Sequence, residues 1–364
     1  MTRPRRILMT ADAVGGVWTY ALELARGLGA RGTEILLVVI GPEPTADQRA
    51  EAIALPGLAL VVPHLELEWQ DRAGPLTAAA RQRLLGLAEA FRPDLVHCNG
   101  FREAAAGFKA PVLVVAHSCI RTWWKACRGG RVPAEWDAYA RGVQAGLAAA
   151  AAVAAPTEAF LGEFAAAWGP LTHPRIVPNG LDLEPASVLR RRPVILAAGR
   201  LWDEAKNVRA LADIAGSLPW PVLTAGDGLE EENGSVVRWL GRLPRPELHR
   251  LMAEAAIFVA PARYEPFGLA ALEAARSGCA LVLGKIPSLV EIWDDAARFV
   301  PPDDPGTLRR TLLDLIDDQE ALLRLQAAAS QRAALYSRER MVEGYEALYA
   351  EILAHHPTAE DRAA

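Results

Sequence analysis

Two glutamates stand eight positions apart in Tyr264-Glu265-Pro266-Phe267-Gly268-Leu269-Ala270-Ala271-Leu272-Glu273, where an apolar strand gives way to a helix. The strand is Ile257–Ala260, ended by Pro261, and the helix reads from Gly268 to Ser277 with Gly278 as its stop. Pro266 suits the first helical turn, where a missing N–H costs nothing. At ~1.5 Å per residue the two carboxylates are then on the order of 12 Å apart. A ligand that meets both must be long and polar and must lie over the helix N-terminus, where free N–H groups favour anions. A nucleoside diphosphate sugar has that form, with its sugar at Glu265, its phosphates on the helix N–H groups and its ribose at Glu273. Two glutamates on an alanine-rich helix also describe an ordinary solvated face. Their position at the C-terminal end of a strand favours a site, since open α/β sheets bind ligands there.

Three further clusters fit the same ligand. Ala11-Asp12-Ala13-Val14-Gly15-Gly16-Val17 follows the first strand and opens the first helix, and its adjacent glycines permit close backbone approach and positive φ around a phosphate. Gly199-Arg200-Leu201-Trp202-Asp203-Glu204-Ala205-Lys206-Asn207 occupies a second strand-to-helix junction. There Arg200 offers a forked donor to a diphosphate and Lys206 a mobile point charge, which together neutralise a leaving diphosphate without a metal ion. The competing reading pairs Arg200 and Lys206 with Asp203 and Glu204 on the surface. His117-Ser118 ends the strand Val112–Ala116, and the histidine is either a structural hydrogen bonder or a group facing the ligand. No GxGxxG follows any strand, which counts against a nicotinamide enzyme, and there is neither a Ser-His-Asp spacing nor an HExxH motif.

These residues need a scaffold of alternating strands and helices, and the chain supplies one. Candidate strands in the first half are Ile7–Met9, Glu34–Ile40, Leu58–Val62, Leu95–His97, Val112–Ala116, Ala152–Ala155 and Arg175–Val177. Helical patterns fall at Val17–Gly29, Thr77–Phe91, Ala134–Ala150 and Thr157–Ala166. The charged stretch Leu183–Arg192 reads as a linker, after which the pattern restarts. Its strands are Val194–Ala198, Pro221–Ala225, Val236–Leu240, Ala256–Ala260, Ala280–Leu283 and Arg298–Val300, and its helices Lys206–Ser217, Pro246–Ala255, Gly268–Ser277 and Pro305–Ile316. The expected class is therefore α/β, with two domains at 1–184 and 190–336 facing each other across a cleft. A last amphipathic helix at Ser337–Leu353 carries Met341, Tyr345, Leu348, Tyr349 and Ile352 on one face.

Composition narrows the partners. The 364 residues are 51% hydrophobic, enough for two cores, and the net charge of −5 argues against a general nucleic-acid binder. Cys98, Cys119, Cys127 and Cys279 show no CxxC spacing and read as reduced thiols, with no metal site or cofactor implied. No apolar run approaches a membrane span, and the three arginines of the first six residues lead into a strand and glycines rather than the core of a signal peptide. A cytoplasmic protein is expected. Six cations against one acid between Arg102 and Arg131, with Trp123 and Trp124 among them, suggest a peripheral contact with the inner membrane surface or an anionic acceptor; an ordinary surface loop reads the same way.

Taken in order, these motifs resemble the retaining glycosyltransferases of family 4, which have the GT-B architecture of two Rossmann-like, doubly wound domains. The resemblance spans nearly the whole chain: the Gly15-Gly16 turn, the strand ending in His117, Val177-Pro178-Asn179-Gly180-Leu181-Asp182, Gly199-Arg200 with Lys206-Asn207, Ala225-Gly226-Asp227-Gly228, Leu240-Gly241 and the paired glutamates. It implies a nucleotide-sugar donor, UDP- or GDP-linked, and a glycan or lipid-linked acceptor. Gly15, Gly16, Arg200 and Lys206 would meet the diphosphate, as would the Phe267-Gly268-Leu269 backbone. Glu265 would hold sugar hydroxyls, Glu273 the ribose and the Leu240–Arg242 backbone the base, with His117 beside the reacting sugar. It further implies a front-face reaction without a protein nucleophile, and a C-terminal helix, 337–356, that returns to the first domain. One stretch departs from the family pattern: Gly284-Lys285-Ile286-Pro287-Ser288-Leu289-Val290-Glu291 places a bulky residue where a second glycine is common. Two other readings remain at this stage, a nucleotide-sugar epimerase or hydrolase on the same fold and a non-catalytic sugar-binding module.

Overall fold

The computed structural model describes residues 3–69, 74–183, 191–228 and 236–356. Its contacts divide the chain into two compact units, one built from Met1–Lys125, Gly130–Gly180 and Arg338–Ala364, the other from Leu181–Ser337 with Ala126–Gly129. Among the described residues no helix is long and apolar enough to cross a membrane.

Unit 1 holds seven parallel strands, β1 (Arg6–Ala11), β2 (Glu34–Val39), β3 (Leu58–Val61), β4 (Leu95–Cys98), β5 (Val112–Val115), β6 (Ala152–Ala155) and β7 (Pro174–Ile176). Their order is 3-2-1-4-5-6-7. Strands covered on both faces must be apolar at every position rather than at alternate ones, and Ile7, Leu8 and Met9 of the central strand are each fully buried. Helices α1 (Gly16–Ala30), α2 (Ala46–Ile53), α3 (Ala78–Phe91), α4 (Ile120–Cys127), α5 (Asp137–Ala149) and α6 (Glu158–Trp168) fill the connections.

Unit 2 holds six parallel strands in the order 3-2-1-4-5-6 of its own sequence: β8 (Arg192–Ala198), β9 (Val222–Ala225), β10 (Val237–Trp239), β11 (Ala255–Ala260), β12 (Ala280–Gly284) and β13 (Arg298–Val300). Successive side chains alternate between two cores, as the pleat requires. Leu196, Phe258, Leu281 and Leu283 face one core, with Leu272 of α9 (Leu269–Arg276), Trp293 of α10 (Pro287–Trp293) and Ala329 of α12 (Gln319–Ala333). Ile195, Ile257, Val259 and Val282 face the other, with Leu211 of α7 (Val208–Ala215) and Leu312 of α11 (Pro305–Asp317). Helix α8 (Arg245–Glu254) connects β10 to β11.

Every strand read from the sequence is present, but several helices differ. Ala134–Ala150 is a 3₁₀ turn, Ala134–Trp136, followed by α5. Lys206–Ser217 begins as a 3₁₀ turn, Glu204–Lys206, and α7 starts only after Asn207, whose φ is +52°. Pro266 lies outside its expected helix, because α9 begins at Leu269 behind a left-handed Gly268. Helices α2, α4, α10 and α12 went unread. The first three have only 7–8 residues, too few to establish a helical period, and α12 follows α11 across a single Asp318. Most of the expected linker, 184–190, lies outside the described residues.

The last helix, α13 (Arg338–His355), belongs to unit 1 and packs on α1. Arg338 Nε donates to Glu23 at 2.7 Å, and Arg31 pairs with Glu346 at 2.5 Å. The helix buries Met341, Val342, Tyr345, Leu348, Tyr349 and Ile352. At ~1.5–3 kcal/mol per fully buried side chain, this face contributes on the order of 10 kcal/mol, comparable with the whole stability of a domain. A chain ending at Ser337 is therefore expected to lose the unfolding transition of unit 1 and keep that of unit 2. Scanning calorimetry of the full and shortened chains checks this, and two retained transitions would contradict it.

Candidate active site

In a doubly wound sheet the ligand crevice lies beyond the carboxyl ends of the strands, where the strand order reverses. In unit 2 that point falls between β8 and β11, neighbours in the sheet whose following loops run in opposite directions. The loop after β8 carries Arg200 and Lys206; the loop after β11 carries Glu265.

The two loops are knitted by backbone and amide contacts. The Arg263 N–H donates to the Ala205 carbonyl at 2.8 Å, and Asn207 Nδ2 donates to the carbonyls of Pro261 and Pro302, each at 2.8 Å. Asn207 takes the left-handed conformation to reach them, which asparagine tolerates better than most residues. Across this junction Lys206 Nζ pairs with Glu265, both side chains being largely buried. Among the described residues the Lys206–Glu204 surface pairing considered from the sequence does not form; Glu204 pairs instead with Arg128 at 2.7 Å. Arg200 does meet Asp203, at 2.8 Å, and its buried Nε has no hydrogen-bond partner among the described residues. Asp203 is itself fixed, since its other oxygen accepts the Ala205 N–H.

Gly268 caps α9 with φ +92°, where a β-carbon would be strained and would come within 3.1 Å of Leu289 Cδ2. The same β-carbon would lie 3.4 Å from Glu265 Cγ, so α9 starts directly behind Glu265, and the first N–H groups of a helix lack an intrahelical partner. The Phe267 side chain goes into the core, 5.6 Å from the Tyr336 ring, so only its backbone is available beside Gly268 and the half-buried Leu269. The departing stretch has a structural part here: Ser288 Oγ donates to the Glu265 carbonyl at 2.6 Å, with Pro287 at the first position of α10.

Glu273 is nearly buried on α9, and its Oε1 lies 3.6 Å from Arg245 and 3.3 Å from His249 of α8. Arg245 and His249 escaped the sequence reading, though their four-residue spacing places them on one helical face. Leu240 and Gly241 follow β10, with the Leu240 N–H on the Thr224 carbonyl at 2.9 Å and the Gly226 N–H on the Gly241 carbonyl at 2.8 Å.

Unit 1 has its own reversal, between β1 and β4. Gly15 is the N-cap of α1 with no side-chain cap, and neither Gly15 nor Gly16 has a positive φ; the pair supplies bare backbone rather than a left-handed turn. His117, half-buried at the end of β5, places Nε2 2.8 Å from Asn99 Oδ1 and its ring 4.4 Å from Tyr20. Behind it the fully buried His97 meets Asn99, Tyr20 and Tyr349. Burial pushes the pKa of His97 down to about 3, and burial together with the neighbouring His97 does the same to His117. Both rings are neutral around pH 7. Nothing in the sequence singles out His97, which reads as one polar residue inside an apolar strand.

The expected basic surface at Arg102–Arg131 is corrected at its first member. Arg102 is 5% exposed, bonded to Glu103 at 3.0 Å and to the Glu66 carbonyl, while Glu68 accepts the backbone N–H groups of Phe101 and Arg102 at 3.2 and 3.1 Å. Arg121 lies over the Trp168 ring at 3.9 Å. Arg102 and Arg121 thus serve the interior and the helix packing of unit 1, while Lys109, Lys125, Arg128 and Arg131 are exposed.

The family model described as Glycosyltransferase Family 4 matches residues 14–185, and that described as Glycosyl transferases group 1 matches residues 192–318. The glycogen synthase of Mycobacterium tuberculosis is 26% identical, over 90% of each chain. A D-inositol 3-phosphate glycosyltransferase of Salinispora tropica is 26% identical, over 96% of this chain and 83% of its own. The fold matches that of sucrose-phosphate synthase from Thermosynechococcus elongatus, with a TM-score of 0.76 at 19% identity over 96% of this chain and all (100%) of the other. It also matches Anabaena HepE in complex with UDP and glucose, with a TM-score of 0.74 at 18% identity over 96% and 100% of the two chains. With both halves of the chain matched in order and the two sheets in place, the protein belongs to glycosyltransferase family 4 and is a glycosyltransferase of the GT-B fold.

Proposed function

We propose that this glycosyltransferase moves a hexose from a UDP- or GDP-linked donor to a glycan or lipid-linked acceptor, with retention of configuration and without a metal ion. The observation that carries the reading is the convergence of Arg200, Lys206 and Glu265 at the strand-order reversal of unit 2. The glycosyltransferase names of the relatives support it, and the UDP-glucose complex of HepE supports a UDP-linked donor.

Without donor, Glu265 neutralises Lys206. An arriving diphosphate competes for that ammonium and for the Arg200 guanidinium, and Glu265 is released to accept from the sugar hydroxyls. The exchange trades the Lys206–Glu265 contact for charge-assisted contacts of both cations with the diphosphate. Arg200 and Lys206 then stabilise the charge that grows on the departing diphosphate, the part a divalent cation plays elsewhere. The leaving phosphate oxygen takes the acceptor's proton on the same face, and Glu265 positions the sugar rather than attacking it. With Glu273 Oε1 held by Arg245 and His249, Oε2 is left to accept from the ribose hydroxyls. The Leu240–Arg242 backbone is assigned to the base. In unit 1 the uncapped start of α1 at Gly15-Gly16 is assigned to phosphate, and His117 to the reacting sugar. The cytoplasmic and membrane-peripheral placement stays part of this proposal.

Thermal denaturation with UDP, GDP, ADP, their common sugar conjugates and NAD tests the donor class. A ligand at about 100 times its dissociation constant adds roughly 2.7 kcal/mol of apparent stability. One nucleoside diphosphate is expected to raise the melting temperature, with a larger shift from one of its conjugates; no shift with any of them would remove the reading. Free sugar or an epimer formed without acceptor would move the assignment to a hydrolase or epimerase.

The two glutamates should separate in kinetics with the donor so identified. Glu265→Ala is expected to lower kcat about 10²-fold or more with KM changed only a few-fold, as for a contact that matters most in the transition state. Glu273→Ala is expected to raise the donor KM about tenfold and leave kcat near its original value. Full activity in both variants would overturn the site.

A further inference from the structure

The polar cluster behind His117 has a hydrogen-bond order that its geometry fixes. Asn99 is anchored to the end of β1 twice: its backbone N–H donates to Thr10 Oγ1 at 3.0 Å and its Nδ2 to the Thr10 carbonyl at 2.8 Å. A carbonyl only accepts, so the amide cannot be turned the other way, and its Oδ1 faces the two imidazoles. That oxygen lies 2.8 Å from His117 Nε2 and 3.1 Å from His97 Nε2. An amide oxygen has no proton to give, so both Nε2 atoms carry one, and its two lone pairs accept both N–H groups. A neutral ring protonated at Nε2 presents a bare Nδ1. In His97 that atom lies 2.7 Å from the Tyr349 hydroxyl, which therefore donates to it. The Tyr20 oxygen, 3.2 Å from His97 Nε2, shares the same N–H.

We propose that Tyr349, His97 and Asn99 are positioning residues that hold His117 as its Nε2–H tautomer, so that His117 offers a ligand only the lone pair of Nδ1. Among the described residues His117 Nδ1 has no hydrogen-bonding partner, and Tyr20 holds the ring by an edge contact at 64° between planes. The burial that keeps both histidines neutral prevents a second proton from cancelling this order. A lone pair accepts from a hydroxyl and repels a phosphate oxygen. His117 therefore selects a hydroxyl of the sugar, not the diphosphate, and the selection is set at the end of β1, where Thr10 fixes the Asn99 amide, with Tyr349 of α13 holding the far side of His97. This assignment of the ligand rests on the proposed donor site; the tautomer does not.

The test is ¹⁵N NMR of the full chain labelled at histidine, with long-range ¹H–¹⁵N correlations that read the protonated nitrogen of each ring, and His117→Gln to assign its signals. His97 and His117 are both expected as Nε2–H at neutral pH. Asn99→Leu should move His117 to a tautomer average and lower kcat about tenfold or more, with the donor KM within about threefold. Retention of both unfolding transitions in Asn99→Leu guards against a folding effect in that variant. Tyr349→Phe should move the His97 Nδ1 signal and the His117 signals with it. His117 found as Nδ1–H, or unmoved by Asn99→Leu, overturns the proposal; movement with Asn99→Leu but not with Tyr349→Phe overturns the part given to Tyr349. If the tautomers are as stated and no nucleotide sugar binds, the donor reading fails and the positioning chain stands.

Discussion

The ion pair between Lys206 and Glu265 spans the point where the strand order of unit 2 reverses, and the candidate site is arranged around it. Each side chain sits on a loop whose path is dictated by the sheet: one leaves β8, the other β11, and only these neighbouring strands send their connections apart. The pair is largely buried, so breaking it without replacement leaves a charge short of water. An anion with its own hydroxyl-bearing group replaces both partners at once, cations against phosphate and carboxylate against hydroxyl. The contacts of Asn207 and Arg263 keep the loops in register, so the charges are held in position before any ligand arrives.

Unit 1 solves a different problem with neutral groups. The end of its β4 buries a histidine beside a half-buried asparagine, which is tolerable because the polar atoms are shared among Thr10, Tyr20, Tyr349 and His117. Nearby, Glu68 and Glu103 share one arginine, Arg102; burial and the Glu103 charge push the Glu68 pKa up to about 8. Both clusters draw residues distant in the chain to the edge of one sheet, including the last helix, whose removal would leave the hydroxyl side of the histidine network open.

Strands were legible because buried parallel strands are near-continuous apolar runs, and Leu8, Phe258 and Leu281 needed no tertiary information to be placed inside. The paired glutamates and the Arg200–Lys206 loop were legible because strand ends concentrate ligand chemistry. What the sequence hid were partners set by three-dimensional proximity. Lys206 was weighed against Glu204, two positions away, but meets Glu265, fifty-nine positions away. Arg102 belonged to a run of cations by count but lies in the interior by fold, and a charge run carries no sign of which members are buried. His97 and Asn99 were silent because a polar residue in a short strand gives no period, and their meaning depends on Tyr349, 252 positions from His97.

The most direct test of the central claim is an equilibrium titration of the selected nucleoside diphosphate, without its sugar, into the native chain and into Lys206→Ala at matched ionic strength. At least a tenfold loss of affinity is expected in the variant, about 1.4 kcal/mol, with both unfolding transitions retained. Equal affinity in the two chains would mean that the diphosphate does not lie at the β8–β11 reversal, and the site would have to be sought elsewhere in the fold.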